Sequence, residues 1–182
     1  MNDRFSRWPG KLALPAKLGP AAAWAGAAAV YAAAQGLSAW AGQRAAGQGT
    51  RPQYGEFRRP AFAPPGAVFP VAWTALNLTT ATSAWRIWRA AEPEAAQPSR
   101  GEILTWWAAA VVVRSGYVPL AFGHRRLWAA TADAALLCGV MTRYAVLARR
   151  IDQTAALLAL PEVAWTAFAT VLAAAIAAGN GS

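Results

Sequence analysis

Between Arg58 and Trp73 the chain sets four prolines, Pro60, Pro64, Pro65 and Pro70, against an uncharged run that extends from Gly66 to Trp85. A proline has no backbone donor and pushes the residue before it out of the helical region. The lead-in is therefore a stiff extended segment, and a helix begins only at about Pro65 or Gly66. About twenty residues at ~1.5 Å each reach ~30 Å, the thickness of a bilayer core. Trp73 then lies about two turns inside a membrane helix, with a rigid loop folded above it.

The rest of the composition agrees with a lipid environment. Of 182 residues, 57% are hydrophobic and 14% charged, against ~25% charged in ordinary soluble domains. The net charge of +9 raises nucleic acid as a partner. However, the basic residues are scattered between apolar runs instead of forming a stripe, so snorkelling and contact with anionic lipid explain them better. The single cysteine, Cys138, sits in an apolar run and has no intrachain partner. His124 stands in a basic turn, His124-Arg125-Arg126, with no second metal-type residue near it, and reads as solvated.

Hydropathy divides the chain into a basic segment at 1–18, five spans at about 19–41, 66–88, 103–120, 127–147 and 154–178, and a short tail at 179–182. The expected fold is an all-α integral membrane protein, a five-transmembrane-helix bundle. The run after the basic start is too long for a signal-peptide core and reads as a span. On the second span Trp73, Asn77, Thr80 and Ala84 share a face at helical spacing. Trp85 and Trp88, beside Arg86 and Arg89, read as interface anchors. The distribution of basic residues leans towards a cytoplasmic N-terminus.

Three segments carry a resemblance. Arg58-Arg59-Pro60-Ala61-Phe62-Ala63-Pro64-Pro65-Gly66-Ala67-Val68-Phe69-Pro70-Val71-Ala72-Trp73 resembles the hallmark KPxWxPPxWxFxxxWxxLY of the TspO/MBR family, the tryptophan-rich sensory and translocator proteins. Tyr117-Val118-Pro119-Leu120-Ala121-Phe122-Gly123 is similar to the end of the family's NWxWxPLFFG, and Pro161 to Ala169 to PYLAWVSFA. The departures are specific: Arg114 stands where the family has Asn, Ser115 and Tyr117 where it has Trp, and Ala121 where it has Phe. In addition, Glu162 stands where it has Tyr and Ala173 where it has Asn. Asp133 falls at a position often acidic in the family.

The resemblance implies a multi-pass protein of a bacterial cell membrane that binds a hydrophobic small molecule inside the bundle and acts as sensor, regulator or carrier. A porphyrin of the protoporphyrin type or a sterol-like lipid is the implied ligand, and no cofactor is required. It implies a pocket lined by Trp73, Asn77, Arg114, Tyr117, Phe122, Glu162 and Trp165, under a lid loop that includes Arg59, Phe62, Pro64 and Pro65. The partners expected are membrane lipids, the ligand and a second copy of the chain, with no nucleic acid. Porphyrin photodegradation, known in the family, leans on pocket tryptophans that Ser115 and Tyr117 replace, and no Ser-His-Asp order, HExxH, CxxC, Walker or GxGxxG pattern supports an enzyme. The alternative is a secondary transporter with a relay of Arg114, Asp133, Arg143 and Glu162, although the chain shows no internal repeat.

Charges inside a bilayer pair or face a cavity. Arg114 and Glu162 each lie about ten residues, ~15 Å, from loops on opposite sides, and so reach the same depth. They are expected to form a midplane ion pair, with Asp133 as the competing partner for Arg114. Two roles stay open: mutual compensation, or a pocket shaped for a ligand carboxylate held by Arg114.

Overall fold

The computed structural model describes Ala25, Ala29 and residues 54–91 and 98–181, and among these every regular element is helical. Four long helices follow one another: α1 (Val68–Arg89), α2 (Arg100–Arg114), α3 (Leu127–Ala148) and α4 (Gln153–Asn180), with a π-helical turn, Pro119–Gly123, between α2 and α3. Ala25 and Ala29 are helical; the remainder of the expected 19–41 span lies outside the described residues.

Local chemistry sets the ends. At the start of α1, Val68 N–H bonds to Pro65 C=O at 2.9 Å, and Pro70 falls in the first turn, where no intrahelical donor is needed. Ser99 caps α2 by accepting from Glu102 N–H at 3.1 Å, and Asp152 caps α4 by accepting from Ala155 N–H at 3.0 Å, the usual use of Ser and Asp at a helix start. Gly181 ends α4 at φ 55°, in the left-handed region that glycine enters without a Cβ penalty.

Where the sequence leads one to expect a single span over 103–120, the structure begins the helix at Arg100 and breaks it at Arg114. Pro119 lacks the N–H that would have bonded to Ser115. The chain tightens instead, with Ser115 N–H on Val112 C=O and Gly116 N–H on Val113 C=O, and then widens until His124 N–H reaches Pro119 C=O at 2.9 Å. Gly116 also permits a close crossing: a Cβ there would stand 2.8 Å from Asp133 Oδ1.

The stretches Arg100–Gly123, Leu127–Ala148 and Gln153–Asn180 are each long and apolar enough to cross a membrane. The 22 residues of α1 carry Asn77, four threonines and Ser83, which lower its hydropathy. Large apolar side chains face outward, among them Val71, Leu78, Val112, Leu136, Leu157 and Val171. An outer surface of this kind suits acyl chains and would be a liability in water.

Inside, the two ends of the bundle differ. Towards the end that holds Arg89, Arg100 and Ala148 the helices close on a solid core of Ile87, Ile103, Trp107, Met141, Tyr144 and Ala155. Ser83 fixes the seam there, donating to Ala155 C=O at 2.6 Å and lying 2.7 Å from the Tyr144 hydroxyl. At the same end Arg86 pairs with Asp152 at 2.9 Å. Towards the opposite end the helices separate, and residues 54–67 fold across the opening.

Candidate functional site

The separation leaves a cavity of about 420 Å³, within the range of small-molecule sites. Trp73 on α1 and Trp165 on α4 stand on its wall, with Tyr117, Phe122 and Arg114 from the α2 side and Asp133, Ala130 and Leu137 from α3. Aromatic contacts hold the walls: Phe69 meets Trp165 edge-on at 6.0 Å, and Trp165 tilts against Phe168 at 5.6 Å. Such pairs restrict the rings beyond what burial alone would do.

One side of the cavity is a polar layer. Arg114 pairs with Glu162, and the two side chains are 6% and 0% exposed. Thr80 donates to Glu162 Oε2 at 2.5 Å, Arg114 Nη1 donates to Asn77 Oδ1 at 3.4 Å, and the guanidinium lies 5.5 Å from the Trp73 ring centroid. The Arg114 charge is thus answered by a carboxylate, an amide oxygen and an indole face, all supplied by the protein. A ligand carboxylate would have to displace Glu162, so the geometry favours the compensating role over carboxylate capture.

Of the residues that sequence reasoning assigned to the pocket, Trp73, Arg114, Tyr117, Phe122 and Trp165 stand on the wall. Asn77 and Glu162 do not: they stand behind Arg114 and position it. Asp133 does not pair with Arg114, whose carboxylate partner is Glu162; it faces the cavity instead. Its Oδ2 and Trp165 Nε1 are buried atoms with no hydrogen-bond partner among the described residues. Arg143 lies over Trp106 at 5.9 Å and is absent from the wall, so the four charges of the relay do not share one path.

Residues of the 54–69 segment do line the cavity, but they are not the ones expected of a lid. Tyr54, Phe57, Gly66 and Phe69 line the cavity, whereas Arg59, Phe62, Pro64 and Pro65 do not. Phe62 is 52% exposed and meets Phe168 at 6.3 Å, because the Pro60–Ala63 turn, closed by a 2.9 Å bond, carries it outward. Arg59 covers the Tyr54 ring at 5.1 Å, and Tyr54 OH donates to Pro64 C=O at 3.1 Å. Burial raises the Tyr54 pKa above its ordinary value, with nearby Arg59 acting in the opposite direction. An irregular segment has no period from which an inward face can be read, so sequence alone gave no means of separating the two sets.

Two clasps tie the strap down. Arg58 N–H donates to Asn180 Oδ1 at 2.9 Å and Asn180 Nδ2 donates to Arg58 C=O at 3.0 Å, so one amide side chain pairs with both backbone groups of a single residue. On the other flank Arg125, at φ 52°, stacks over Phe57 at 5.5 Å and reaches Glu56 at 3.7 Å. Phe57 in turn meets Phe122 at 6.2 Å.

Comparison with known proteins gives the family. The model of the TspO/MBR family matches residues 18–178. Protein CrtK of Rhodobacter capsulatus is 31% identical over 120 residues, which cover 65% of this chain and 72% of that protein. With apolar helices of spanning length and a family match over nearly all of its sequence, the chain is an integral membrane protein that belongs to the TspO/MBR family.

Proposed function

We propose that this protein is a five-helix membrane receptor or carrier whose bundle holds a flat hydrophobic molecule, of tetrapyrrole type or a sterol-like lipid, between Trp73 and Trp165. The observation that carries this reading is the cavity of about 420 Å³ under the strap, walled mainly by apolar and aromatic side chains. Two indoles on different helices give an apolar ring system stacking surfaces, and the few polar groups on the wall orient it.

Absorbance titration with protoporphyrin in nanodiscs tests the proposal. Trp73→Phe and Trp165→Phe keep an aromatic ring but lose indole area, and each should weaken binding about threefold to tenfold, the scale of one aromatic contact. Unchanged affinity in both variants would remove the proposed pocket.

A further inference from the structure

On the outer face of the bundle α3 and α4 leave a second hollow, a groove of about 400 Å³. Its floor is Ala145 and Ala156, 6% and 7% exposed, and its rims are Val146, Leu157 and Leu160, each about half exposed. On each helix these positions recur at intervals of three and four, so the small side chains of one face form a continuous trough. Arg149 and Gln153 stand at its mouth, at the end of the bundle where Arg89 lies over Trp85 and Arg100 over Trp88. Arginine and tryptophan together mark the headgroup level. From Gln153 the groove follows α4 as far as Val163, ~15 Å along the helix, which is about half a bilayer core. It therefore runs from the headgroups to the midplane, the reach of one acyl chain.

The charges at the mouth are of one sign. No acidic residue lines the groove, and Arg149 forms no salt bridge among the described residues. Asp152, the acid nearest in sequence, is already engaged by Arg86 and by the α4 N-terminus. Arg150 adds a second exposed guanidinium beside Arg149, and Gln153 adds amide donors. We propose that this groove is a site for an anionic glycerophospholipid, with the phosphate between Arg149 and Gln153 and one acyl chain laid over Ala145 and Ala156. Guanidinium and phosphate match in charge and in hydrogen-bond geometry. A zwitterionic headgroup returns a positive charge to the two arginines and gains less. A second copy of the chain, the competing occupant of a trough floored by alanine, leaves Arg149 unanswered.

Native mass spectrometry tests this on the full-length protein released from nanodiscs of phosphatidylglycerol and phosphatidylcholine in equal amounts, with matched acyl chains. Phosphatidylglycerol should be retained over phosphatidylcholine about tenfold or more, the scale of two basic residues at an anionic interface. Arg149→Gln should cut that preference about fivefold, the share of one such residue, and Arg149→Lys should keep most of it. Arg89→Gln removes a cation at the same end of the bundle, away from the groove, and should leave the preference unchanged. Ala156→Phe fills the floor and should reduce retention of both lipids. If that variant lacks native far-UV dichroism, Leu160→Trp narrows the groove from its exposed rim and carries the same expectation. Equal retention of the two lipids, or an equal fall in Arg89→Gln and Arg149→Gln, would reduce the attraction to a diffuse surface charge and overturn the proposal. Retention unaltered in Ala156→Phe and Leu160→Trp would overturn it too, and dissociation of a dimer in those variants would assign the groove to a second copy of the chain.

Discussion

At the scale of single residues, the Arg114–Glu162 pair is a buried ion pair between two helices. Both side chains are withdrawn from solvent, so each charge depends on the other. Glu162→Gln leaves a buried guanidinium without its carboxylate and should destabilise the protein by about 3–5 kcal/mol. The double variant Arg114→Leu/Glu162→Leu should recover most of that loss, because no orphaned charge remains. Thermal unfolding in detergent distinguishes the two. Ser83 works differently: it is neutral, yet it bonds to Ala155 C=O and to Tyr144 across three helices. Ser83→Ala should cost about 1–3 kcal/mol, since buried polar atoms lose a partner and gain none.

At the scale of elements, the helix ends do separate jobs. Asp152 caps α4 and also pairs with Arg86. Partial burial pushes its pKa up, but the hydrogen bonds from Ala155 and Arg86 and the Arg86 charge outweigh burial and hold it below the ordinary 3.8. A carboxylate with a depressed folded value contributes stability that is complete above its unfolded value and is lost as pH falls through the folded one. Acid unfolding curves should therefore show Asp152→Asn losing stability relative to the native protein at neutral pH, with the difference shrinking below about pH 4. At the opposite end of α4, Asn180 clasps Arg58. Asn180→Ala should speed hydrogen exchange at the Arg58 amide and raise the porphyrin dissociation rate, while the helical dichroism stays unchanged. An unaltered dissociation rate would mean that the strap does not gate the cavity.

At the scale of the whole molecule, one end is solid and the other hollow, with the Arg114 layer between them. The outward apolar side chains set the bundle in lipid. Val112 is 73% exposed and lies two residues from Arg114, near the depth of the ion pair. Val112→Arg should therefore cost about 2.5–3.5 kcal/mol of insertion free energy, read as loss from the membrane fraction; in water the same change at so exposed a site would be nearly neutral. The departures from the family pattern concentrate on the hollow end: Arg114, Tyr117, Ala121 and Ala173 all stand on the cavity wall, and Glu162 backs Arg114. The sequence changes that distinguish this chain from its resemblance thus alter the lining of the cavity, and leave the solid end to maintain the bundle.

The helices from Val68 onward, their proline boundaries and the depth of Arg114 and Glu162 were legible from the sequence because they depend on quantities that add along the chain: hydropathy, missing donors and rise per residue. Trp73 and Trp165 were marked by motif. Asp133 as a wall residue, the withdrawal of Asn77 and Glu162 behind Arg114, and the inward turn of Tyr54 and Phe57 in place of Phe62 were decided only by tertiary packing. Which of several polar groups takes a buried partner depends on rotation of one helix against another, and which side of an irregular strap faces inward depends on the turn and clasps that fold it. Neither is a property of local order in the chain.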